Sequence, residues 1–264
     1  MRFDEASRVE RSGDDTWKAE VQPGWDIFGI SNGGYLMAIA SRAMSEAADG
    51  RLPVTITTHF TRPVSAGAAE VQVQPIKVGR NFTTMRAELS AGSGSQSLLG
   101  SLAVPEAMGG DTLYMDGEPP DLPDPDDCVL AVPAEEGPLP PPLVGLIEER
   151  IHPDDAQALT ANQSGVARMR GWFRLLDDEP MDVFTLLFAA DAFPPAVFNT
   201  QLPLGWTPTV EMTTQVRSAP ATSWLRCRFT TRFVTGGMLE EDGEIWDEEG
   251  RLLALSRQLA LVPR

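Results

Sequence analysis

One pattern of segments runs through this chain twice, and that duplication constrains the fold more than any single motif. In the first half, the strand-like TWKAEVQP leads into an apolar, small-residue helix pattern, GGYLMAIASRAM. VTITTHFTRPV, AEVQVQPIKVGRN, FTTMRAELSA and SLLGSLAVP follow. In the second half, MRGWFRLLDDEP leads into MDVFTLLFAADAF, then TPTVEMTTQVRSAP, SWLRCRFTTRFVTGG, GEIWDEEG and RLLALSRQLALVP. The closing segments match best. Glu88-Leu89 and Gly94 correspond to Glu244-Ile245 and Gly250, and both halves end in Val-Pro, at Val104-Pro105 and Val262-Pro263. Self-similarity over so long a period points to a duplicated domain.

Each half has the order strand, helix, several strands. Apolar residues alternate along the strands, as at Val71 and Val73 or Phe229 and Phe233, the period of a sheet with one buried face. AGSGSQ and DEEG supply hairpin turns. The first helix pattern carries no charge from Gly33 until Arg42, so it must be buried nearly all round. An antiparallel sheet wrapped around a central helix buries both at once. The expected class is therefore α+β, in two tandem copies.

Between the copies lies PEAMGGDTLYMDGEPPDLPDPDDCVLAVPAEEGPLPPPLV, too rich in proline for a regular helix or a central strand. The sequence predicts an extended linker arm here, with a short helix and a loop within 145–164. The expected units are 1–107, a linker arm over 108–164, and 165–264, both folded units near ordinary domain size.

The formal net charge of −17 argues against nucleic acid as a partner. No window holds the roughly 18 apolar residues of a membrane span. The charged N-terminal stretch has no apolar core of a signal peptide, so a cytoplasmic location is expected. Cys128 and Cys227 read as free thiols. Two histidines, His59 and His152, with no ligand cluster around them, predict no metal. No G-x-S-x-G elbow supports a serine triad.

SNGGYLMAIASRA, THFTRP and VGRNFTTMRAEL resemble the first half of the double-hotdog acyl-CoA thioesterases of the thioesterase II type. AADAFPP, PTVEMTTQVR and EEGRLLALSRQLALV resemble the second half. The likeness spans roughly 15–107 and 165–264, in order. It implies a double hotdog fold and hydrolysis of fatty acyl-CoA thioesters by an enzyme-held water, with coenzyme A arriving as part of the substrate and no separate cofactor. It also implies site residues: Asp191 in FAADAF, Thr209 in PTVEM and Gln258 in SRQLA. The chemistry suits them: a carboxylate takes the water's proton, while a hydroxyl and a carboxamide fix the water by hydrogen bonds.

Asn32-Gly33-Gly34 opens the first helix, where related sequences often carry His in the first position. The amides around Gly33 and Gly34 are candidates for holding the thioester oxygen; Asn32 is equally a good N-cap. His59 is a substrate-side candidate or a packed strand residue. Arg62 and Arg80, with Arg86, are either ordinary strand-end residues or ligands for CoA phosphates. Thr207, Thr213 and Thr214 compete with Thr209, because a shift of one residue turns a strand side chain to the other face. Rival readings are a hotdog hydratase-dehydratase acting on acyl-CoA or acyl-carrier protein, with His59 as its histidine, and a non-catalytic acyl-CoA-binding protein. The expected partner is a small-molecule acyl-CoA, and exposed sheet edges leave homo-oligomerisation open.

Overall fold

The computed structural model of the chain describes residues 1–108, 110, 112, 114–137, 139–157 and 163–262. Pro263 of the closing Val-Pro lies outside them. The first half contains β1 (Val9–Arg11), β2 (Thr16–Val21), α1 (Gly33–Ala47), β3 (Leu52–Arg62), β4 (Gly67–Val78), β5 (Phe82–Ala91) and β6 (Gly94–Ala103). The second contains β7 (Ile147–Ile151), β8 (Arg168–Leu175), α2 (Val183–Ala189), β9 (Thr209–Val216), β10 (Leu225–Thr230), β11 (Met238–Asp247) and β12 (Leu252–Leu261).

All twelve strands join one antiparallel sheet in the order β1-β2-β4-β5-β6-β3-β9-β12-β11-β10-β8-β7. Val129–Leu130 adds to the β7 edge and Val234–Thr235 pairs with β11. Adding six to each label of the first half reproduces the second half in reverse. The molecule therefore has a pseudo-twofold axis through the β3–β9 pair. Thr57 and Thr213 face each other across that pair, their hydroxyls 2.9 Å apart.

The two helices pack against each other on one face of the sheet. α1 buries almost every residue from Gly34 to Ser45, including Tyr35, Met37, Ile39 and Met44, as its lack of a charged face requires. Asn32 caps it, accepting from the Tyr35 amide at 2.9 Å. α2 starts from a capping box between Asp182 and Thr185. It stops at Ala189, just ahead of Pro194-Pro195, whose rings disfavour helix in the residue before them. An aromatic cluster of Phe3, Trp25, Tyr35 and Phe188 ties the N-terminal residues to both helices. Side chains so buried contribute about 2 kcal/mol each through the apolar area removed from water.

The stretch 145–164 differs in detail from its sequence reading. It opens on strand β7, followed by a one-turn helix, Pro153–Ala156. β7 pairs with β8 and holds in the second half the place that β1 holds in the first. Its pairing is set by β8, distant in sequence, which local proline density does not register. Among the described residues no helix is long and apolar enough to cross a membrane.

Candidate active site

A cavity of about 260 Å3 opens where the N-terminus of α1 meets the C-terminus of α2. Asp191, Thr209 and Gln258 all line it. Asp191 sits two residues past α2, at the negative end of that helix. The positive end of α1 compensates. The Gly34 amide donates to Asp191 Oδ2 at 2.9 Å, and Asn32 Nδ2 donates to the same oxygen at 3.0 Å and to the Asp191 carbonyl at 2.7 Å. Burial pushes the Asp191 carboxyl up to about 6, against the pull of the Gly34 and Gly33 amides and of Asn32.

The two glycines are required by this close approach. A Cβ at Gly34 would lie 2.7 Å from the Leu187 carbonyl oxygen and 2.9 Å from the Asp191 Cβ; one at Gly33 would strike the Phe60 ring at 2.7 Å. The amides of the glycine pair are turned to the Asp191 carboxylate rather than left free at the cavity. Their first duty is to hold the carboxylate.

Thr209 stands beside a bulge. It pairs with Ala260 while Glu211 pairs with Leu259, so Val210 is an extra residue in the strand. Simple alternation from the buried Met212 and Thr214 would turn Val210 inward and Thr209 outward. The bulge reverses this: Val210 is exposed and Thr209 faces the cavity. There the Thr209 hydroxyl donates to Gln258 Oε1 at 2.6 Å. Gln258 Nε2 donates onward to Glu241 Oε1 at 2.7 Å, and Glu241 Oε2 accepts from the Ala196 amide at 2.5 Å. Glu241 also lines the cavity, and burial pushes its carboxyl up to about 7, with the Asp191 charge adding to the rise.

The chain of bonds fixes directions. Glu241 accepts with both oxygens, so Gln258 must present Nε2 to it and Oε1 to Thr209. Thr209 spends its only proton on Gln258 and shows lone pairs to the cavity. Asp191 faces the same space without bonding to any of these groups. The arrangement thus offers a carboxylate and an oriented hydroxyl oxygen, both acceptors, to whatever occupies the cavity.

Of the other residues singled out in the sequence, Arg62 lies at this cavity, exposed and without an ion-pair partner among the described residues. His59 is exposed on the outer face of β3, between Ser97 and Glu211, away from the cavity. Arg80 precedes β5 at the end of the sheet where Phe82 meets Ala103 and Ala103 meets Leu52. Arg62 is at the opposite end of β3, about 30 Å away at 3.3 Å per residue. Arg86 bonds to Gln74 on the exposed sheet face. Among the described residues no three His, Cys, Asp or Glu side chains gather as a metal site needs.

The sequence of an acyl-CoA thioesterase N-terminal domain family matches residues 21–104, and that of an acyl-CoA thioesterase C-terminal domain family matches residues 125–262. A protein from Thermobifida fusca, provisionally assigned as a thioesterase II, is 31% identical, with a TM-score of 0.87 over 100% of this chain and 98% of its own. This chain belongs to the acyl-CoA thioesterase family. A hot dog protein of unknown function from Alicyclobacillus acidocaldarius shares the fold, at 20% identity and a TM-score of 0.85 over 99% and 98% of the two chains. An uncharacterised protein of Mycobacterium tuberculosis is 27% identical over 94% of this chain and 91% of its own. The sheet with its pair of helices is accordingly a double hotdog.

Two residues of this thioesterase-family cavity were not visible in the sequence. Glu241 lies in an acidic run, MLEEDGE, that reads as a solvated loop. Gln96 belongs to AGSGSQ, which reads as a turn, yet it is buried, lines the cavity and leaves both amide atoms unpartnered among the described residues. Strand alternation carried back from Leu98 would have turned Gln96 inward and is the one signal that could have found it.

Proposed function

We propose that the chain hydrolyses fatty acyl-CoA thioesters to the free acid and CoA, with Asp191 as general base. The observation that carries this reading is the Asp191 carboxylate, pinned by α1, facing the same cavity as the Thr209–Gln258–Glu241 chain. A water between them donates one hydrogen to Asp191 and the other to Thr209 Oγ1, leaving a lone pair directed at the thioester carbon. As its oxygen bonds to that carbon, its proton passes to Asp191. The tetrahedral intermediate then expels the CoA sulfur, which takes the proton back from Asp191, and the acid remains.

We assign the donor for the thioester oxygen to Gln96 Nε2, since the Gly34 amide already serves Asp191. Arg62 at the cavity supplies a guanidinium for the phosphates of CoA. The site of action we infer is the cytoplasm; Cys128 and Cys227 are both free and buried, in keeping with a reducing compartment. The test is thiol release from acyl-CoAs of graded length. Wild type is expected to turn over at least one length class, and Asp191→Ala to lose about a hundredfold or more of kcat/KM. An Asp191→Ala variant with wild-type turnover sinks the assignment.

A further inference from the structure

Beside the cavity described above lies a second, of about 90 Å3, room for about three groups the size of a water. The two share Ile27, Phe193, Pro195, Trp206 and Thr207 in their walls, so they adjoin. The second is lined chiefly by apolar groups, among them Val144, Ile151 and Phe198. One carboxyl interrupts them: Glu149.

Glu149 is fully buried, and neither of its carboxyl oxygens has a hydrogen-bond partner among the described residues. It occupies an inward position of β7, between the buried Ile147 and Ile151, where an aliphatic side chain would cost nothing. The cations nearby on β7 and its partner strand β8 are engaged elsewhere. Arg150 and Arg174 bond to the outward-facing Glu148, and Arg170 to Asp155. A buried carboxyl left without partners is costly to keep. A cavity beside it, continuous in its walls with a thioester-sized one, gives that cost a purpose.

We propose that this second cavity is the distal end of the acyl slot and that Glu149 there receives a hydroxyl carried far along the chain, making hydroxyacyl-CoAs the preferred substrate class. The proposal rests on the acyl-CoA hydrolase reading. Burial pushes the Glu149 carboxyl up to about 8, so near neutral pH it largely keeps its proton. It then both donates and accepts. A hydroxyl does the same and satisfies it; an alkyl end satisfies neither oxygen.

The experiment compares kcat/KM for acyl-CoAs of matched length with and without a terminal hydroxyl, in wild type, Glu149→Leu and Glu149→Gln. At one chain length the hydroxylated substrate is expected to win by about tenfold in wild type. Glu149→Leu should reverse that preference, and Glu149→Gln should keep part of it. A ratio near one at every length in wild type, or a preference unmoved in Glu149→Leu, overturns the proposal and leaves the hydrolase reading standing. If no acyl-CoA is turned over, the hydrolase reading falls by itself, and calorimetric binding of free hydroxylated and plain fatty acids decides the pocket. Tighter binding of the hydroxy acid by wild type, lost in Glu149→Leu, supports it; equal affinities overturn it.

Discussion

At Asp191 and Glu241 a half-buried and a buried carboxyl share one cavity, and their protons make it sensitive to pH. In the proposed mechanism Asp191, pushed up to about 6, must be ionised to act as a base. The Asp191 ionisation is therefore expected to raise activity by up to tenfold per pH unit below about 6 and to add little above it. Glu241, pushed up to about 7, accepts two hydrogen bonds only when ionised, so a second inflection near 7 is expected. In Glu241→Gln one of those acceptors becomes a donor facing a donor. Gln258 loses its fixed orientation and Thr209 its lone-pair direction. The expected result is a fall of about tenfold in kcat with KM little changed and the upper inflection gone; a pH–rate profile identical to wild type would remove Glu241 from the positioning chain. Stability runs the other way. Both carboxyls hold protons in the folded chain at pH values where the unfolded chain has lost them. They favour folding at low pH, and that contribution is lost as pH rises from about 4 through 6 for Asp191 and through 7 for Glu241. Asp191→Asn removes the cost of the buried charge while keeping an acceptor for the Gly34 amide. It should be as stable as wild type at pH 5 and more stable at pH 8, by up to about 2 kcal/mol, measured by thermal or urea unfolding. The residues Asp191, Thr209 and Gln258 were legible only through resemblance, because nothing in their local sequence distinguishes a cavity-facing carboxyl or amide from a solvated one. Glu241 was not legible at all, since its place in the cavity is fixed by Ala196 and Gln258, 45 and 17 residues away.

Elements carry the site through two local departures from regularity. The first is the pair of glycines at the start of α1, visible in the sequence as SNGG. Their apparent reason was an open helix end; their structural reason is that the Phe60 ring lies where a Gly33 Cβ would be and α2 passes where a Gly34 Cβ would be. Gly34→Ala must push apart the α1 start and the Leu187 and Phe188 carbonyls, which are backbone and do not yield cheaply. A loss of about 1–3 kcal/mol in unfolding free energy is expected, with a larger loss of activity than stability alone accounts for, since Asp191 moves with α2. Urea unfolding at wild-type midpoint and unchanged turnover would show that the helices have slack. The second departure is the bulge at Val210. Period-two alternation made the strand legible and left the choice among Thr207, Thr209, Thr213 and Thr214 open. A bulge depends on the partner strand β12 as much as on its own residues, so the one-residue change of face could not be read from TPTVEM alone.

Over the whole molecule the duplication was legible, and with it the α+β class, because it is written in composition and period. What the sequence could not show is how the two copies differ at the helix pair. The pseudo-twofold creates two related poles where the N-cap residue of one helix meets a residue nine or ten positions past the N-cap of the other. At one pole Asn32 meets Asp191, beside the cavity. At the other Asp182 meets Arg42 at 2.9 Å, and Phe3 and Phe184 pack on the Arg42 guanidinium. These pairings specify a mixed dimer of halves. Two second halves packed together would set Asp182 against Asp191, a close pair of like charges. Two first halves would set Asn32 against Arg42 and supply no carboxylate to the cavity. Both homotypic pairings are thus penalised or inactive, and the mixed one is favoured. This leads to a test in which the chain is cut in the proline-rich stretch after residue 107 and the halves are produced separately or together. Each half alone leaves an apolar helix face uncovered and a central strand, β3 or β9, as an open edge. The expected result is insoluble or self-paired material without thiol release from either half, and recovery of at least about a tenth of intact activity when both are made together. Activity from the second half by itself would mean that Asp191, Thr209 and Gln258 need nothing from Asn32 and Gly34, and that the α1 N-terminus is scaffold rather than part of the site.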